Sequence, residues 1–188
     1  MGGYWESILV FTGINVIMAL SLYLPFSAGQ ISLAQAGFMS IGAYVSSLLT
    51  RDLGVPFYFA LLIGGLTASG AGVLVGFPAI RIKGIYLLLL TLAFGEMVRV
   101  FFLNFEMTGG ASGMGGMDLK TNLINVYAFV AILLIFFSRL SNSRMGRAFE
   151  AMRADEIAAE VSGINIVKAK LIAFGLGAFI AGVGGGLY

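Results

Sequence analysis

Residues 56–78 read PFYFALLIGGLTASGAGVLVGFP, and this uncharged stretch decides the class of fold. No charged residue occurs between Asp52 and Arg81, and none occurs between Glu6 and Arg51. A helix needs about 20 apolar residues to cross the hydrocarbon core of a bilayer. Because both gaps are longer than that, the sequence predicts an all-α protein whose helices span a membrane.

The composition of the whole chain agrees with this prediction. Of its 188 residues, 59% are hydrophobic and 11% are charged, against about 25% charged in soluble domains. This excludes a soluble enzyme, a disordered chain and a nucleic-acid binder. There is no cysteine and no histidine, which removes disulfides, Cys/His metal sites, and thiol or imidazole catalysis. We expect no catalytic residue, no metal and no cofactor.

The hydrophobic segments predict one transmembrane domain over residues 1–188 with about six spans. The expected spans are residues 7–26, 32–50, 56–78, 85–105, 123–138 and 169–188. Six basic residues lie between Arg139 and Lys170, and basic residues favour the cytoplasmic side of a membrane. We therefore predict that residues 139–168 form a cytoplasmic loop in a multi-pass protein of the inner membrane, with the N-terminus outside.

Small residues recur every fourth position in the third span, which places them on one helix face. Such a stripe lets a second helix approach closely, and it is typical of any multi-helix membrane bundle. The residues predicted to pack in this way are Gly64, Ala68, Gly72 and Gly76.

A polar, glycine-rich stretch follows the first span. Residues 29–44 read GQISLAQAGFMSIGAY and carry no charge. Backbone polar groups at membrane depth must be paired, buried in protein or facing water. The stretch therefore predicts a broken or re-entrant segment near residues 27–42 that lines a cavity, in which Gln30 and Gln35 can donate and accept hydrogen bonds. An ordinary short loop before a helix with two interfacial glutamines is the alternative.

Two further features on the fourth span and after it are candidates for function. Glu96 and Arg99 are three residues apart, so they share a helix face and can pair. They could line a pathway or form a proton site, or they could make an interhelical ion pair. The glycine-rich residues 106–117, which include Thr108, are expected on the outer side and could approach a ligand or form a flexible loop.

The predicted cytoplasmic loop contains two short amphipathic helices. Asn142 or Ser143 can cap the first helix, and its apolar stripe consists of Met145, Ala148, Phe149 and Met152. Asp155 and Glu156 favour the start of the second helix, and Gly163 stops it. This hairpin suits docking into a groove on a partner protein; the alternative is a helix that lies on anionic lipid.

Five motifs in order resemble the permease subunits of bacterial ABC importers for branched-chain amino acids, in particular the M-type of the two paired permeases. Besides residues 29–44, the motifs are 80–86 (IRIKGIY), 90–96 (LTLAFGE), 108–113 (TGGASG) and 143–155 (SRMGRAFEAMRAD) with Gly163. Family members are usually longer at both ends, so the resemblance implies that this chain is a segment of a longer protein.

The resemblance implies several partners and roles. Cytoplasmic ATP-binding subunits would dock on the loop, a second permease subunit would complete a heterodimer, and a periplasmic or lipid-anchored binding protein would deliver the solute. Membrane lipid would surround the subunit, and no nucleic acid is expected. Since the chain has no Walker motif, ATP hydrolysis would belong to the partner. The implied coupling residues are Arg144, Met145, Gly146, Arg147, Ala148, Phe149, Ala151, Met152, Arg153, Asp155 and Gly163, and the pathway candidates are Gln30, Ser32, Gln35, Glu96 and Thr108.

Other functions remain open at the level of sequence. A permease of the same family could carry another small solute, such as urea or short amides. A secondary transporter could use Glu96 as its proton site. A structural assembly subunit would have no transport role.

Overall fold

The computed structural model describes residues 2–82, 84–105, 108, 110 and 121–188. Within these residues the chain contains eight α-helices and no strand, which confirms the predicted all-α fold. The helices are α1 (Gly2–Ser27), α2 (Gln35–Asp52), α3 (Phe57–Ala79), α4 (Ile85–Asn104), α5 (Leu123–Ser141), α6 (Arg144–Ala154), α7 (Glu156–Val161) and α8 (Ile166–Leu187).

Five of these helices, α1, α3, α4, α5 and α8, are long and apolar enough to cross a membrane. The second predicted span corresponds to α2, which has 18 residues but contains Gln35, several serines and a terminal Arg51–Asp52 pair. Of the residues in α2, only Ala36, Arg51 and Asp52 are exposed. Because α2 is enclosed by other helices rather than by lipid, it does not need a uniformly apolar surface.

Helix α8 lies at the centre of the bundle, and about two thirds of its most apolar stretch is buried. It packs against α1, α2 and α3. Pairs of close positions show that α8 runs antiparallel to α3 (Gly64 beside Gly182, Gly76 beside Phe174) and parallel to α2. The spans thus alternate in direction. The loop between α1 and α2, the end of α3 and the α6–α7 hairpin consequently lie at one end of the bundle.

The helices around α8 approach so closely that several glycines have no room for a side chain. A Cβ at Gly42 would collide with the backbone of Gly182, and a Cβ at Gly185 would collide with the carbonyl oxygen of Met39. The predicted stripe of α3 is buried against the same neighbours. Gly64 faces the backbone of Gly42, and Ala68 faces Gly182. Gly72 faces Ala178, and Gly76 faces Phe174.

The predicted break between the first two spans is shorter than expected. Helix α1 continues to Ser27, and α2 begins at Gln35, so only residues 28–34 are non-helical. Residues 35–42 are helical, with Gly37 packed against Phe94 and Gly95 of α4 and Gly42 packed against Gly182 of α8. The segment predicted as a cytoplasmic loop from residue 139 to 168 is also more helical than expected, since α5 extends to Ser141 and α8 starts at Ile166.

The close approach of α2 to α8 predicts unequal effects of two glycine substitutions. Gly185→Ala should destabilise the protein by about 1–3 kcal/mol, because the new methyl group meets backbone that cannot rotate away. Gly70→Ala is the control, since a Cβ there meets nothing within 4 Å, and it should raise helix stability by up to about 1 kcal/mol. Thermal unfolding in detergent measures both. Equal midpoints would contradict the described packing.

Candidate functional site: a polar loop against a helical hairpin

Residues 28–34, which we call the polar loop, are not helical and alternate between buried and exposed positions. Ala28, Gln30, Ser32 and Ala34 are buried, whereas Gly29, Ile31 and Leu33 are exposed. Gln30 and Ser32 are 2% and 1% exposed, and Gln35 at the start of α2 is 7% exposed. The turn into the loop uses Gly29 with a φ of 75°, a left-handed conformation that disfavours a side chain. The backbone N–H of Gln30 donates to the carbonyl of Pro25 at 2.9 Å. The loop is therefore a fixed part of the bundle.

Hydrogen bonds connect the polar loop to three helices. The N–H of Leu33 donates to Thr91 Oγ1 in α4 at 3.0 Å. Ser32 Oγ accepts from the N–H of Ala34 at 3.2 Å and donates to Gln35 Oε1 at 3.4 Å. Gln35 Nε2 in turn donates to the carbonyl of Ser21 in α1, also at 3.4 Å. Sequence reasoning missed Thr91, because a threonine in an apolar helix gives no signal of what it contacts.

One buried side-chain atom of the loop has no hydrogen-bond partner among the described residues. Gln30 Oε1 is buried and accepts no hydrogen bond from the described residues. Leaving a buried acceptor unsatisfied costs about 1–3 kcal/mol. This oxygen is consequently available to a donor that enters from outside the chain, such as water or an ammonium group.

The hairpin of α6 and α7 is built by side-chain caps. Ser143 Oγ accepts from the N–H of Gly146 at 3.1 Å and starts α6. Asp155 Oδ1 accepts from the N–H groups of Ile157 and Ala158 at 2.9 and 3.1 Å and starts α7. Gly163, with a φ of 86°, follows α7. Of the two expected caps for the first helix, Ser143 provides it and Asn142 ends α5 instead.

The apolar stripe of α6 is divided between the bundle and the solvent. Phe149 and Met152 are 2% and 4% exposed and belong to the main core, whereas Met145 is exposed. The stripe expected to enter a partner's groove is thus half used by this chain itself. Among the other predicted coupling residues, Gly146 is buried, Ala148 and Ala151 are half-buried, and those exposed are Arg144, Arg147, Arg153, Asp155 and Gly163.

Helix α7 carries an exposed apolar pair that sequence reasoning missed. Ile157 and Val161 are 75% and 86% exposed, and their spacing of four places them on one face. The sequence contains the information for this pair, because the Asp155 cap fixes where α7 begins and the four-residue spacing then places Ile157 and Val161 on one face.

The hairpin contacts the polar loop directly. A Cβ at Gly29 would lie 3.7 Å from Arg153 Cα and 3.9 Å from the carbonyl oxygen of Met152. The guanidinium of Arg153 lies 4.7 Å from the ring centroid of Phe26, the residue before the last one of α1. Cation–π contacts of this kind contribute about 0.5–1 kcal/mol at exposed sites. The end of α6 is thereby attached to the start of the loop.

A second attachment joins the hairpin to the central helix. Lys170 Nζ of α8 lies 2.6 Å from Glu156 Oε1 of α7, and the side chains are 7% and 32% exposed respectively. The lysine has little access to water, so the contact with Glu156 offsets the cost of burying its side chain.

The other predicted site residues lie elsewhere. Arg99 Nη1 donates to Glu96 Oε2 at 2.9 Å, and both side chains are mostly exposed on α4, so the described residues form an intrahelical rather than an interhelical pair. Thr108 is buried beyond the end of α4, where its hydroxyl lies 2.7 Å from the Phe105 carbonyl. Thr91 lies near the opposite end of that helix, so Thr108 and the polar loop do not meet. Residues 106–107, 109 and 111–117 of the glycine-rich stretch lie outside the described residues.

Metal chemistry finds no support in the described part of the chain. No group of three or more Asp, Glu, His or Cys side chains there could hold a metal ion.

The five apolar helices and the enclosed α2 define a multi-pass helical membrane protein. Residues 4–188 match the permease component of branched-chain amino acid transport systems, and the chain belongs to this family. Such permeases lie in the inner membrane of bacteria, as predicted for this chain.

Known relatives cover nearly all of this chain. It is 36% identical over 216 residues to the high-affinity branched-chain amino acid transport system permease protein LivM of Salmonella typhimurium, a match that includes 96% of this chain and 49% of the relative. It is 27% identical over 226 residues to a probable branched-chain amino acid transport permease protein LivM of Methanocaldococcus jannaschii, a match that includes 96% of this chain and 66% of the relative. It is 26% identical over 191 residues to the ribose import permease protein RbsC of Escherichia coli, a match that includes 95% of this chain and 59% of the relative. The chain thus spans about half the length of the LivM protein of Salmonella. No solved structure matches it significantly.

The buried lysine predicts an asymmetry between the two ends of its ion pair. Glu156→Gln should loosen the hairpin by about 2–3 kcal/mol, because it leaves the Lys170 charge buried without its partner. Lys170→Met should cost less, because a third of Glu156 is exposed and water can solvate its carboxylate. Hydrogen exchange of the α7 amides measures the loosening. Faster exchange in the Lys170→Met variant than in Glu156→Gln would contradict this account.

Proposed function

We propose that this chain is part of the permease subunit of an ATP-driven importer that carries leucine, isoleucine and valine across the inner membrane. The proposal extends to this chain the solute class in the name of LivM, to which it is 36% identical. The subunit would work with cytoplasmic ATP-binding subunits, with a second permease subunit and with a periplasmic or lipid-anchored solute-binding protein. It would not be an enzyme, since ATP hydrolysis belongs to the partner.

One observation carries the proposal: the hairpin is attached at two points to elements that lead into the membrane. Arg153 and Met152 contact the start of the polar loop, and Glu156 pairs with Lys170 of the central helix. A force applied to the hairpin therefore reaches both the loop and α8. This is the mechanical arrangement that an ATP-driven permease requires.

The outer surface of the hairpin suits a protein partner. Its exposed apolar pair, Ile157 and Val161, projects beside the acidic Glu160 and the cations of α6. An apolar centre with mixed charges around it is typical of protein interfaces, whereas a lipid-bound helix carries mainly cations on its polar face. We assign this surface to the ATP-binding subunit.

A cleft of about 350 Å³ lies between α6, α1 and α5, and its lining includes Leu20, Tyr23, Phe137 and Phe149. A tilt of α6 that separates Arg153 from Phe26 would release the start of the polar loop. The loop would then present Gln30 and Ser32 to the pathway, beside Gln35 at the start of α2.

Neutral polar groups suit the passage of a zwitterion. An amino acid needs hydrogen bonds for its ammonium and carboxylate groups, and amide and hydroxyl groups provide them without the cost of an additional buried charge. Such contacts favour release over tight binding, so the affinity would reside in the binding protein. A relative that is 26% identical is named for ribose import, and urea or short amides are the alternative solutes for this chain.

The first experiment tests the assignment of the docking surface. The double change Ile157→Glu and Val161→Glu should abolish co-purification of the ATP-binding subunit, because it places two carboxylates in an apolar contact. Leu53→Glu is the matched control, since Leu53 is 71% exposed at the opposite end of the bundle. The control variant should retain the partner. Retention by the double variant as well would refute the docking assignment.

The second experiment separates coupling from assembly. Gly29→Val and Gly54→Val both force a side chain onto a residue with positive φ, at a cost of about 1–2 kcal/mol each. Only position 29 faces the hairpin. Position 54 is the control, because a Cβ there meets nothing within 4 Å. Only Gly29→Val should reduce leucine uptake, on the order of tenfold if about 1.4 kcal/mol of coupling is lost. Co-purification of the ATP-binding subunit should survive in both. Equal uptake by the two variants would disprove transmission through the loop.

A further inference from the structure

The face of α4 that carries Glu96 and Arg99 is not compatible with lipid. Glu96 is the twelfth residue of a 20-residue helix, about 12 Å from its end at Asn104 for a rise of 1.5 Å per residue. The Glu96 and Arg99 side chains are 59% and 67% exposed. A charged side chain near the centre of a bilayer costs about 2.5–3.5 kcal/mol on insertion scales. The surroundings of this face must therefore be polar.

The two charges do not satisfy each other. A guanidinium has five N–H donors, and the contact of Arg99 with Glu96 is a single bond of 2.9 Å through Nη1. A dry contact with an apolar helix would leave most of the remaining donors and acceptors without partners. Water or a solute with charges of both signs satisfies them.

The neighbours of the pair are apolar. Leu92 and Leu103 lie on the same face as the pair, at spacings of four residues from Glu96 and from Arg99, and they are 50% and 41% exposed. The face thus presents an anion and a cation side by side between two leucines. This pattern complements an α-amino acid with an apolar side chain, whose ammonium and carboxylate are adjacent and whose tail is aliphatic.

We propose that this face of α4 lines the water-filled passage and that Glu96 and Arg99 form a subsite for the zwitterionic head group of the solute. Glu96 accepts from the ammonium and Arg99 donates to the carboxylate, while Leu92 or Leu103 contacts the side chain. The assignment of an amino acid rests on the proposed function. The water-lined character of the face rests on the charges alone.

Thiol labelling tests both parts, and residues 1–188 contain no cysteine of their own. Single cysteines at Leu92, Leu103, Met97 and Phe101 are introduced into the full-length protein, with cysteines outside this segment replaced by serine. The assembled complex in membrane vesicles is then treated with a membrane-impermeant maleimide. Met97 and Phe101 are matched controls, because they are 63% and 57% exposed on another face of α4.

We expect labelling at positions 92 and 103 and none at positions 97 and 101. Leucine should slow the labelling at positions 92 and 103. Leucinamide, which lacks the carboxylate, and 4-methylpentanoate, which lacks the ammonium, should not slow it. Glu96→Gln should remove the protection by leucine. No labelling at positions 92 and 103 would overturn the passage assignment and would mean that lipid or a second subunit covers the face. Equal labelling at all four positions would overturn it as well. Labelling that leucine leaves unchanged, or that all three compounds slow equally, would overturn the zwitterion subsite.

The same vesicles distinguish failure of this inference from failure of the proposed function. If the unmodified complex takes up leucine but the labelling result is negative, the proposed function holds and the subsite is refuted. If the expected face is labelled but no leucine is taken up, the passage assignment holds and the assigned solute is refuted.

Discussion

The architecture depends on the close approach of α8 to three neighbouring helices. Where Gly42 faces Gly182 and Gly185 faces Met39, backbone meets backbone without an intervening side chain. Association of helices within a membrane relies on such packing and on hydrogen bonds, because lipid is as apolar as the helix surface itself. The enclosure of α2 follows from it. Once α2 is held between other helices, it can carry the glutamine and serine residues that a lipid-facing helix could not.

The same enclosure permits a non-helical backbone in the polar loop. Unpaired N–H and C=O groups are not tolerated against lipid, but irregular segments occur where protein surrounds them. Here Thr91 accepts from Leu33, Ser32 accepts from Ala34, and Gln35 reaches α1. Among the buried side-chain atoms of the described residues, the oxygen of Gln30 is the one without a hydrogen-bond partner. Such an unused acceptor is suited to bind a donor briefly, as the proposed pathway requires.

The sequence predicts local structure well and three-dimensional neighbours poorly. Charge-free segments and caps such as Ser143 and Asp155 depend on residues close in the chain, and the fold class and the hairpin could be derived from them. The polarity of α2 was recognised, but its enclosure depends on α3, α4 and α8, which no local pattern encodes. For the same reason Phe149 and Met152 looked available to a partner although the core of this chain already contains them. Thr91 was missed because its role exists only in contact with the loop.

The two attachments of the hairpin differ in chemistry, and this difference bears on how it could transmit force. The contact of Arg153 with Phe26 is a cation–π interaction at an exposed position, which can slide or break at a cost of about 0.5–1 kcal/mol. The pair of Glu156 with the nearly buried Lys170 is far more costly to separate. A hairpin pulled by a partner should therefore pivot about α7, which stays fixed to α8, while α6 swings at its weaker contact. The larger displacement then falls on the polar loop, and the central helix moves least.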